Sequence, residues 1–258
     1  MNQLDLKLRS LRSLAKQNSR TIIDNISRNN SRKGKGEFEI CLFCGSSNDI
    51  TKEHVLPQWT YDGDPTKFFI TTINGLPQYY NKATIPACSI CNNNRLNSLE
   101  VYIQNLFSET DLETTFFNND ELEKIITWLE IIDYKFQVLD ARRTFLKSKE
   151  NGYIPYLADI PLSVLREKVD YSPYKANSEI RKSLKRIVRK SKSLKVNSLI
   201  VFHTSNKGFY FFDRMDDYIF IELPQFRKAF FCFHNHTFSN SKKAQKEADK
   251  IIKQVYSK

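Results

Sequence analysis

Apolar residues recur at helical spacing in three stretches of the first 140 residues. Between positions 4 and 26 they return every three or four residues, which predicts an amphipathic helix that ends before the Gly-containing segment 31–36. The same spacing predicts a helix over 96–106 and a long helix from about 120 to 139. Each apolar stripe is expected to pack on the body of the protein.

Short stretches of β-branched and aromatic residues lie between and after these helices. Segments 66–73 and 76–84 flank Asn74-Gly75, a strong tight-turn signal, and predict a hairpin in which Pro77 limits pairing. Near the C-terminus, turns at 206–208 and 215–217 suggest an antiparallel meander, closed by a helix over 241–256. The predicted strands of this meander are 198–203, 209–212, 218–223 and 229–236.

Basic residues outnumber acidic ones, and the excess is localised. The chain has 40 Lys plus Arg against 29 Asp plus Glu, a net charge of +11. Segment 1–36 carries nine basic and two acidic residues, and segment 175–195 carries nine and one. Such a protein is expected to bind a polyanion, and nucleic acid is the first candidate.

The second basic segment reads as an amphipathic helix over about 178–192. Its apolar side is formed by Ile180, Leu184, Ile187 and Val188. The basic side chains expected on its outer face are Arg181, Lys182, Lys185, Arg186, Arg189 and Lys190. Of these, Arg181, Lys185 and Arg189 are the predicted nucleic-acid contacts; the alternative is a solvated face.

Four of the five cysteines form two matched pairs, Cys41-x-x-Cys44 and Cys88-x-x-Cys91. Thiolates two residues apart can both reach one tetrahedral Zn²⁺, and two such pairs complete its coordination. A thioredoxin-like redox motif would leave the second pair unexplained. The spacing therefore predicts a structural zinc site and, because its thiols must stay reduced, a cytoplasmic protein.

The residues around the cysteines resemble the HNH, or ββα-metal, endonuclease superfamily. The similarity covers about 70 residues and is carried by Lys52-Glu53-His54-Val55-Leu56-Pro57 and by Cys88-Ser89-Ile90-Cys91-Asn92-Asn93. It is greatest to the four-cysteine branch that includes phage endonuclease VII. The resemblance implies that Glu53 and Asn92 ligate a catalytic Mg²⁺ or Mn²⁺ and that His54 is the general base.

General chemistry agrees with these implied roles. A metal that must bind a phosphate oxygen prefers oxygen ligands and open positions, and a neutral imidazole can take a proton from water near pH 7. Arg95 and Lys52 are further candidates for contact with the substrate phosphate, with a solvated side chain as the alternative. Asn92 could instead cap the helix that begins there.

The sequence departs from better-known superfamily members at two positions. Leu96 stands where many members have a further histidine, so a site with two protein ligands is expected. Ala83 stands where many have an asparagine that braces the base, and Asn81 and Thr84 are the neighbouring substitutes.

The predicted fold class is α+β, with a zinc-stapled, treble-clef-like ββα-metal core. The expected parts are a basic helical arm (1–36), the nuclease core (37–108), a helical connector (109–173) and a C-terminal module of a basic helix and antiparallel sheet (174–258). The function that the resemblance implies is metal-dependent hydrolysis of phosphodiester bonds in nucleic acid, with DNA as the first candidate, in bacterial defence or mobile-element biology. The alternative is a catalytically inactive, zinc-stabilised nucleic-acid-binding protein.

Several other classes are disfavoured by sequence. The chain has no run of 18 apolar residues, which argues against a membrane span, and its N-terminus lacks the apolar core of a secretory signal. It also lacks a G-x-x-x-x-G-K-[ST] motif, so an ATP-driven step or targeting would need a protein partner.

Overall fold

A computed structural model describes residues 2–29, 39–62, 68–70, 77–113, 116–142, 173–189, 198–214 and 217–256. These residues form a mixed structure of helices and antiparallel sheets, as the α+β prediction requires. The Asn74-Gly75 turn and the 31–36 linker lie outside the described residues.

The N-terminal segment forms two helices, α1 (Gln3–Gln17) and α2 (Ser19–Asn29), rather than the single predicted helix. The break falls at Asn18, whose backbone N–H and side-chain amide both donate to the carbonyl of Leu14, the amide at 3.1 Å. Asparagine favours helix ends because its short side chain bonds to nearby backbone. The predicted apolar stripe is confirmed, since Leu8, Leu11, Ala15, Ile22 and Ile26 are all buried.

Two short strand pairs follow. Strand β1 (Ile50–His54) pairs antiparallel with β4 (Thr84–Cys88), so that Ile50 lies opposite Cys88 and His54 opposite Thr84. Strand β2 (Phe68–Ile70) pairs with β3 (Pro77–Tyr79). The predicted return strand 76–84 is therefore wrong in extent: a 3₁₀ turn, Tyr80–Lys82, ends β3 before β4 begins. The chain changes partner strand at that turn.

Two helices then build the centre of the molecule. A π-helical segment (Ile90–Leu96) leads from the second cysteine pair into α3 (Asn97–Glu109), and α4 spans Asn119–Arg142. Both predicted helices are confirmed. Every residue of α4 from 124 to 139 is buried, including its charged ones. A helix buried on all sides must supply each of those charges with a partner.

The C-terminal part consists of α5 (Pro173–Val188), four strands and α6 (Ser241–Tyr256). The strands are β5 (Leu199–His203), β6 (Tyr210–Arg214), β7 (Tyr218–Leu223) and β8 (Lys228–Phe233). They run in the order β5-β8-β7-β6. The meander is thus correct for β6, β7 and β8 but wrong for β5, which lies beside β8.

The four-stranded sheet has two apolar faces. Alternate residues such as Ile219, Ile221 and Phe230 join a core that includes α1, α3 and α4, while Phe220 and Phe231 face α6. This alternation explains why β7 and β8 are apolar at nearly every position. The first core also contains Cys41 and Cys91, so one continuous apolar cluster connects the cysteines with the sheet.

None of the described helices has the length and apolar character that crossing a bilayer requires.

Candidate functional site

Four thiols converge where the β1–β4 pair meets the π-helical segment. The sulfur atoms of Cys41, Cys44, Cys88 and Cys91 all lie within 4.8 Å of one another, and the Cys44 and Cys88 sulfurs are 3.6 Å apart. A disulfide has sulfurs about 2.05 Å apart. Tetrahedral Zn²⁺, with Zn–S bonds of about 2.3 Å, separates its sulfur ligands by about 3.8 Å. The cluster can therefore hold a metal ion, and zinc fits its donors.

The loop of the first cysteine pair is shaped by backbone hydrogen bonds. Gly45 N–H donates to the Cys41 carbonyl at 2.8 Å, and Cys41 N–H donates to the Ser46 carbonyl at 2.7 Å. Gly45 has a φ of +76°, and a Cβ there would lie only 2.9 Å from the Cβ of Asn18. A side chain at this position would meet both backbone strain and the end of α1. The glycine thus allows α1 to pack closely on the cysteine loop.

Hydrogen bonds among the thiols favour negative charge on Cys44. Bonding with Cys41 and Cys91 lowers the pKa of the Cys44 thiol to about 4, whereas bonding with Cys41 and Cys44 raises the pKa of the Cys91 thiol. Arg95 Nη1 donates to Cys91 Sγ at 3.2 Å. The guanidinium predicted to meet a substrate phosphate is therefore engaged, through one nitrogen, with the cysteine cluster.

Glu53 lies one residue before the end of β1, and its side chain is buried. Its carboxylate forms an ion pair with Lys135 of α4, whose side chain is fully buried. The same ammonium lies 3.2 Å from Glu100 Oε1 and donates to the carbonyl of His54 at 3.1 Å. Glu100 of α3 and Glu53 of β1 therefore meet at the same ammonium.

His54 ends β1 and is partly exposed. Its Nε2 lies 3.1 Å from the side-chain nitrogen of Gln58, and its Nδ1 is buried without a hydrogen-bond partner among the described residues. Burial lowers the pKa of His54, Glu53 opposes that shift, and Lys135 adds to it. The neutral imidazole is favoured at neutral pH as a result.

Asn92 lies in the first turn of the π-helical segment and faces β1. Its amide nitrogen donates to Thr51 Oγ1 at 2.9 Å and to the Lys52 carbonyl at 3.3 Å. Because side chains alternate along a strand, Thr51 and Glu53 share one face of β1. The structure thus brings Asn92 to the face that carries Glu53. The helix-cap alternative receives no support, since no side-chain cap was found for the π-helical segment.

Backbone hydrogen bonds brace the end of β1 at His54. Val55 N–H donates to the carbonyl of Ala83 at 2.9 Å, and Thr84 lies directly opposite His54 in the β1–β4 register. Asn81 lies in the 3₁₀ turn and is exposed. Of the two substitutes named from sequence, Thr84 is the one adjacent to the histidine.

The predicted nucleic-acid contacts are on the surface. Lys52 is exposed on β1, and Arg181, Lys185 and Arg189 are exposed on or just after α5. Arg186, which was predicted to share the outer face of this helix, is instead buried, and its Nη2 donates to Asp133 Oδ2 at 2.6 Å. Its predicted place on the outer face was wrong because a buried carboxylate on α4 requires a cation.

Sequence reasoning missed two residues of the site, Lys135 and Gln58. A signal for Lys135 was present, because a lysine flanked by apolar residues on every side of a helix must find an acid. The identity of that acid could not be read from sequence, since Glu53 lies 82 residues away. Gln58 carries no comparable signal. Among the described residues, the cysteines are the group of metal-ligating side chains that lie close enough together for one ion.

Comparisons of the chain with models of known protein families, with curated proteins and with solved structures gave no match.

Proposed function

We propose that the chain is a zinc-stabilised endonuclease of the HNH type that hydrolyses phosphodiester bonds in DNA with the help of Mg²⁺ or Mn²⁺. The observation that carries the proposal is the juxtaposition, beside the four-cysteine cluster, of Glu53 and His54 at the end of β1 with Asn92 at the start of the following helix. The sequence resemblance implies a ββα-metal arrangement, in which two strands and a helix would meet at one active-site edge, and we take β1, β4 and the helix that carries Asn92 for these parts.

Glu53 and Asn92 are the proposed protein ligands of the catalytic ion. A carboxylate oxygen and an amide oxygen suit Mg²⁺ or Mn²⁺, and water would complete the shell. Asn92 directs its amide nitrogen to Thr51 and Lys52, so its amide oxygen is the atom available to an ion. When bound, the ion would polarise the scissile phosphate and stabilise the leaving oxygen.

His54 is the proposed general base. The two ends of the Gln58 amide are interchangeable, so its oxygen can accept from His54 Nε2–H and leave the lone pair on Nδ1. The buried Nδ1, which has no hydrogen-bond partner in the described part of the chain, suits one held water molecule. His54 would remove the proton of that water as it attacks phosphorus, and the lowered pKa keeps the imidazole ready to do so.

The basic surface of α5 and the exposed Lys52 supply the proposed contacts with the nucleic-acid backbone. Arg181, Lys185 and Arg189 point away from the core, where phosphate charge would attract them whatever the base sequence. Arg95 retains further guanidinium donors beside the one that meets Cys91, so it remains a candidate for the scissile phosphate. By resemblance, the products would carry 5′-phosphate and 3′-hydroxyl ends.

One observation favours the catalytically inactive alternative. Glu53 already has a cationic partner in Lys135, and a carboxylate whose charge is compensated is a weaker ligand for a second cation. In that case the protein would bind nucleic acid through the same basic surface without cutting it.

The test is incubation of zinc-loaded protein with supercoiled plasmid, with linear duplex and with single-stranded RNA. Each substrate is tested with Mg²⁺, with Mn²⁺ and with neither ion. We expect the protein to produce nicked or linear DNA only when a divalent ion is added. Salt-sensitive binding of DNA without cleavage under any of these conditions would establish the inactive alternative, and an absence of both would remove nucleic acid as the partner.

A further inference from the structure

The side chain of Lys135 is surrounded by three acceptors and has no access to solvent. Its ammonium meets a Glu53 oxygen, Glu100 Oε1 at 3.2 Å and the His54 carbonyl at 3.1 Å. A lysine ammonium has three N–H donors, so this set uses all of them. Two of the three acceptors belong to the proposed ligand and to the proposed base.

Helix α4 connects this ammonium with the cysteine cluster. The residue before it, Tyr134, donates from its hydroxyl to the carbonyl of Leu42 at 2.5 Å, within the first cysteine pair. Consecutive residues of one buried helix therefore fix the cysteine loop and the end of β1. The distance between the cluster and the Glu53-His54 dipeptide is set from α4 as well as from the strand itself.

Two carboxylates face one ammonium. Burial raises the pKa of Glu100, and the charge of Lys135 opposes that shift, so the negative charge on Glu100 depends on Lys135. Glu53 Oε1 is held by Lys135, so Oε2 is the carboxylate oxygen left for an ion. Lys135 thus determines how Glu53 is oriented, how many of its oxygens can ligate, and how much negative charge the ion meets.

We infer that Lys135 is a positioning residue of the active site, which holds Glu53 as a ligand through one oxygen and weakens its attraction for the divalent ion. The inference rests on the proposed function. It has a particular consequence: loss of Lys135 should make ion binding tighter while making cleavage slower. A role confined to stability would loosen ion binding and slow cleavage together.

Loss of Lys135 would remove both a positive charge and a contact that orients Glu53, and the larger of these two energies decides whether ion binding becomes tighter or weaker. A unit positive charge a few ångströms from a divalent ion opposes binding strongly, even at an effective dielectric constant of about 20. Fixing the orientation of the single Glu53 side chain contributes much less free energy to ion binding. Removal of the charge should therefore outweigh loss of orientation for binding, whereas cleavage depends on the orientation.

The experiment measures Mn²⁺ binding to zinc-loaded protein by the EPR signal of free Mn²⁺, without nucleic acid, and plasmid cleavage at saturating Mn²⁺. Lys135→Met should bind Mn²⁺ at least about tenfold more tightly and cleave at least about tenfold more slowly than the wild type. Lys124→Met is the matched control, because Lys124 is a nearly buried lysine of the same helix that also pairs with two acids, Asp5 at 3.0 Å and Asp120 at 2.8 Å. It should change neither quantity.

A second variant covers the case in which Lys135→Met does not fold. Glu100→Gln keeps the shape of a side chain that is 20% exposed and removes the second carboxylate that faces Lys135, so the ammonium acts on Glu53 alone and Mn²⁺ should bind about tenfold more weakly. Unchanged Mn²⁺ affinity in Glu100→Gln, or weaker affinity in a folded Lys135→Met, would overturn the role of Lys135 while leaving the nuclease proposal intact. A wild-type protein without a Mn²⁺ site would instead overturn the nuclease proposal itself, and this inference with it.

Discussion

The hairpin region (residues 39–62 and 77–109) and the sheet region (residues 198–214 and 217–256) are stabilised by different interactions. The hairpin region has short paired strands, four clustered thiols and a buried lysine–carboxylate group. The sheet region has four strands with apolar side chains on both faces, and aromatic pairs such as Phe212 with Phe220, whose ring centroids are 4.6 Å apart.

The comparison separates the candidate site, in the hairpin region, from the apolar packing of the sheet region. A two-stranded pair is marginally stable alone, so the position of Glu53 and His54 depends on the cysteine cluster, which could hold a metal ion, and on the buried ammonium of Lys135 from α4. The sheet region needs no such ligands because its strands bury ample apolar area. Substitution of thiols or of charged residues is therefore expected to affect the hairpin region most. Substitution of packed apolar residues is expected to affect the sheet region most.

The largest expected effect comes from the thiols. Cys88→Ser removes one of the four sulfur ligands, and structural zinc sites contribute on the order of 10 kcal/mol to folding in small domains. We expect this variant to lose zinc and to unfold or precipitate. Metal analysis together with circular dichroism measures both effects.

Cys232→Ser is the matched control. Cys232 is a buried cysteine of β8, in the sheet region. Its substitution should leave one zinc per chain and cost only the modest energy of a buried polar replacement. Zinc content that is the same in the two variants, or absent from folded wild-type protein, would contradict the difference between the regions.

The next largest effect concerns the buried ionic contacts of Asp133, which connect α4 with Arg186 of α5 and with His234 after β8. Asp133 is fully buried and accepts from Arg186 at 2.6 Å and from Gln137 at 2.7 Å, and it lies 3.4 Å from His234 at the end of β8. Burial alone would raise the pKa of Asp133, but the charges of His234 and Arg186 outweigh it and lower the pKa to about 2. Asp133→Ala should lower the free energy of unfolding by about 3–5 kcal/mol, because Arg186 loses its buried partner.

Asp217→Ala provides the comparison for Asp133. Asp217 also pairs with a histidine, His236 at 3.2 Å, but both side chains are accessible to solvent. An exposed pair contributes about 0–1 kcal/mol. Denaturant unfolding of the two variants should therefore differ by several kcal/mol, and equal losses would show that Asp133 is not paired as described.

The smallest expected effect is on binding rather than on folding. Replacing Arg181, Lys185 and Arg189 together by Gln should weaken DNA binding for all sequences alike and reduce the slope of log affinity against log salt by about 0.9 per lost phosphate contact. The charge-matched control is Lys242, Lys243 and Lys246 of α6, which covers the other face of the sheet. Equal slopes for both triple variants would make the α5 surface an ordinary solvated face.

Sequence predicted best what depends on local pattern. The long helix α4 and the four strands of the sheet region were predicted because apolar spacing of three to four, or of two, is a direct consequence of helix and strand geometry. The cysteine cluster was predictable for a similar reason, since a Cys-x-x-Cys spacing restricts how two thiols can point.

Two of the failures depend on long-range pairing, and a third, the break at Asn18, is local. The placement of β5 beside β8 is not encoded by alternation, because either neighbour would satisfy the same pattern. The inward turn of Arg186 depends on Asp133, 53 residues away, and the partner of Lys135 is more distant still. The break at Asn18 was missed because asparagine is only a weak signal for a helix end.

The central claim is that His54, in the hairpin region, is the general base of a nuclease. The most direct measurement is the single-turnover rate of plasmid cleavage at saturating Mn²⁺ by the wild type, by His54→Ala and by His236→Ala, a substitution of an exposed histidine in the sheet region. We expect the cleavage rate of His54→Ala to be about 10²- to 10⁴-fold lower than that of the wild type, with Mn²⁺ and DNA binding retained. We expect no loss of rate for His236→Ala. Near-normal metal-dependent cleavage by His54→Ala would contradict it.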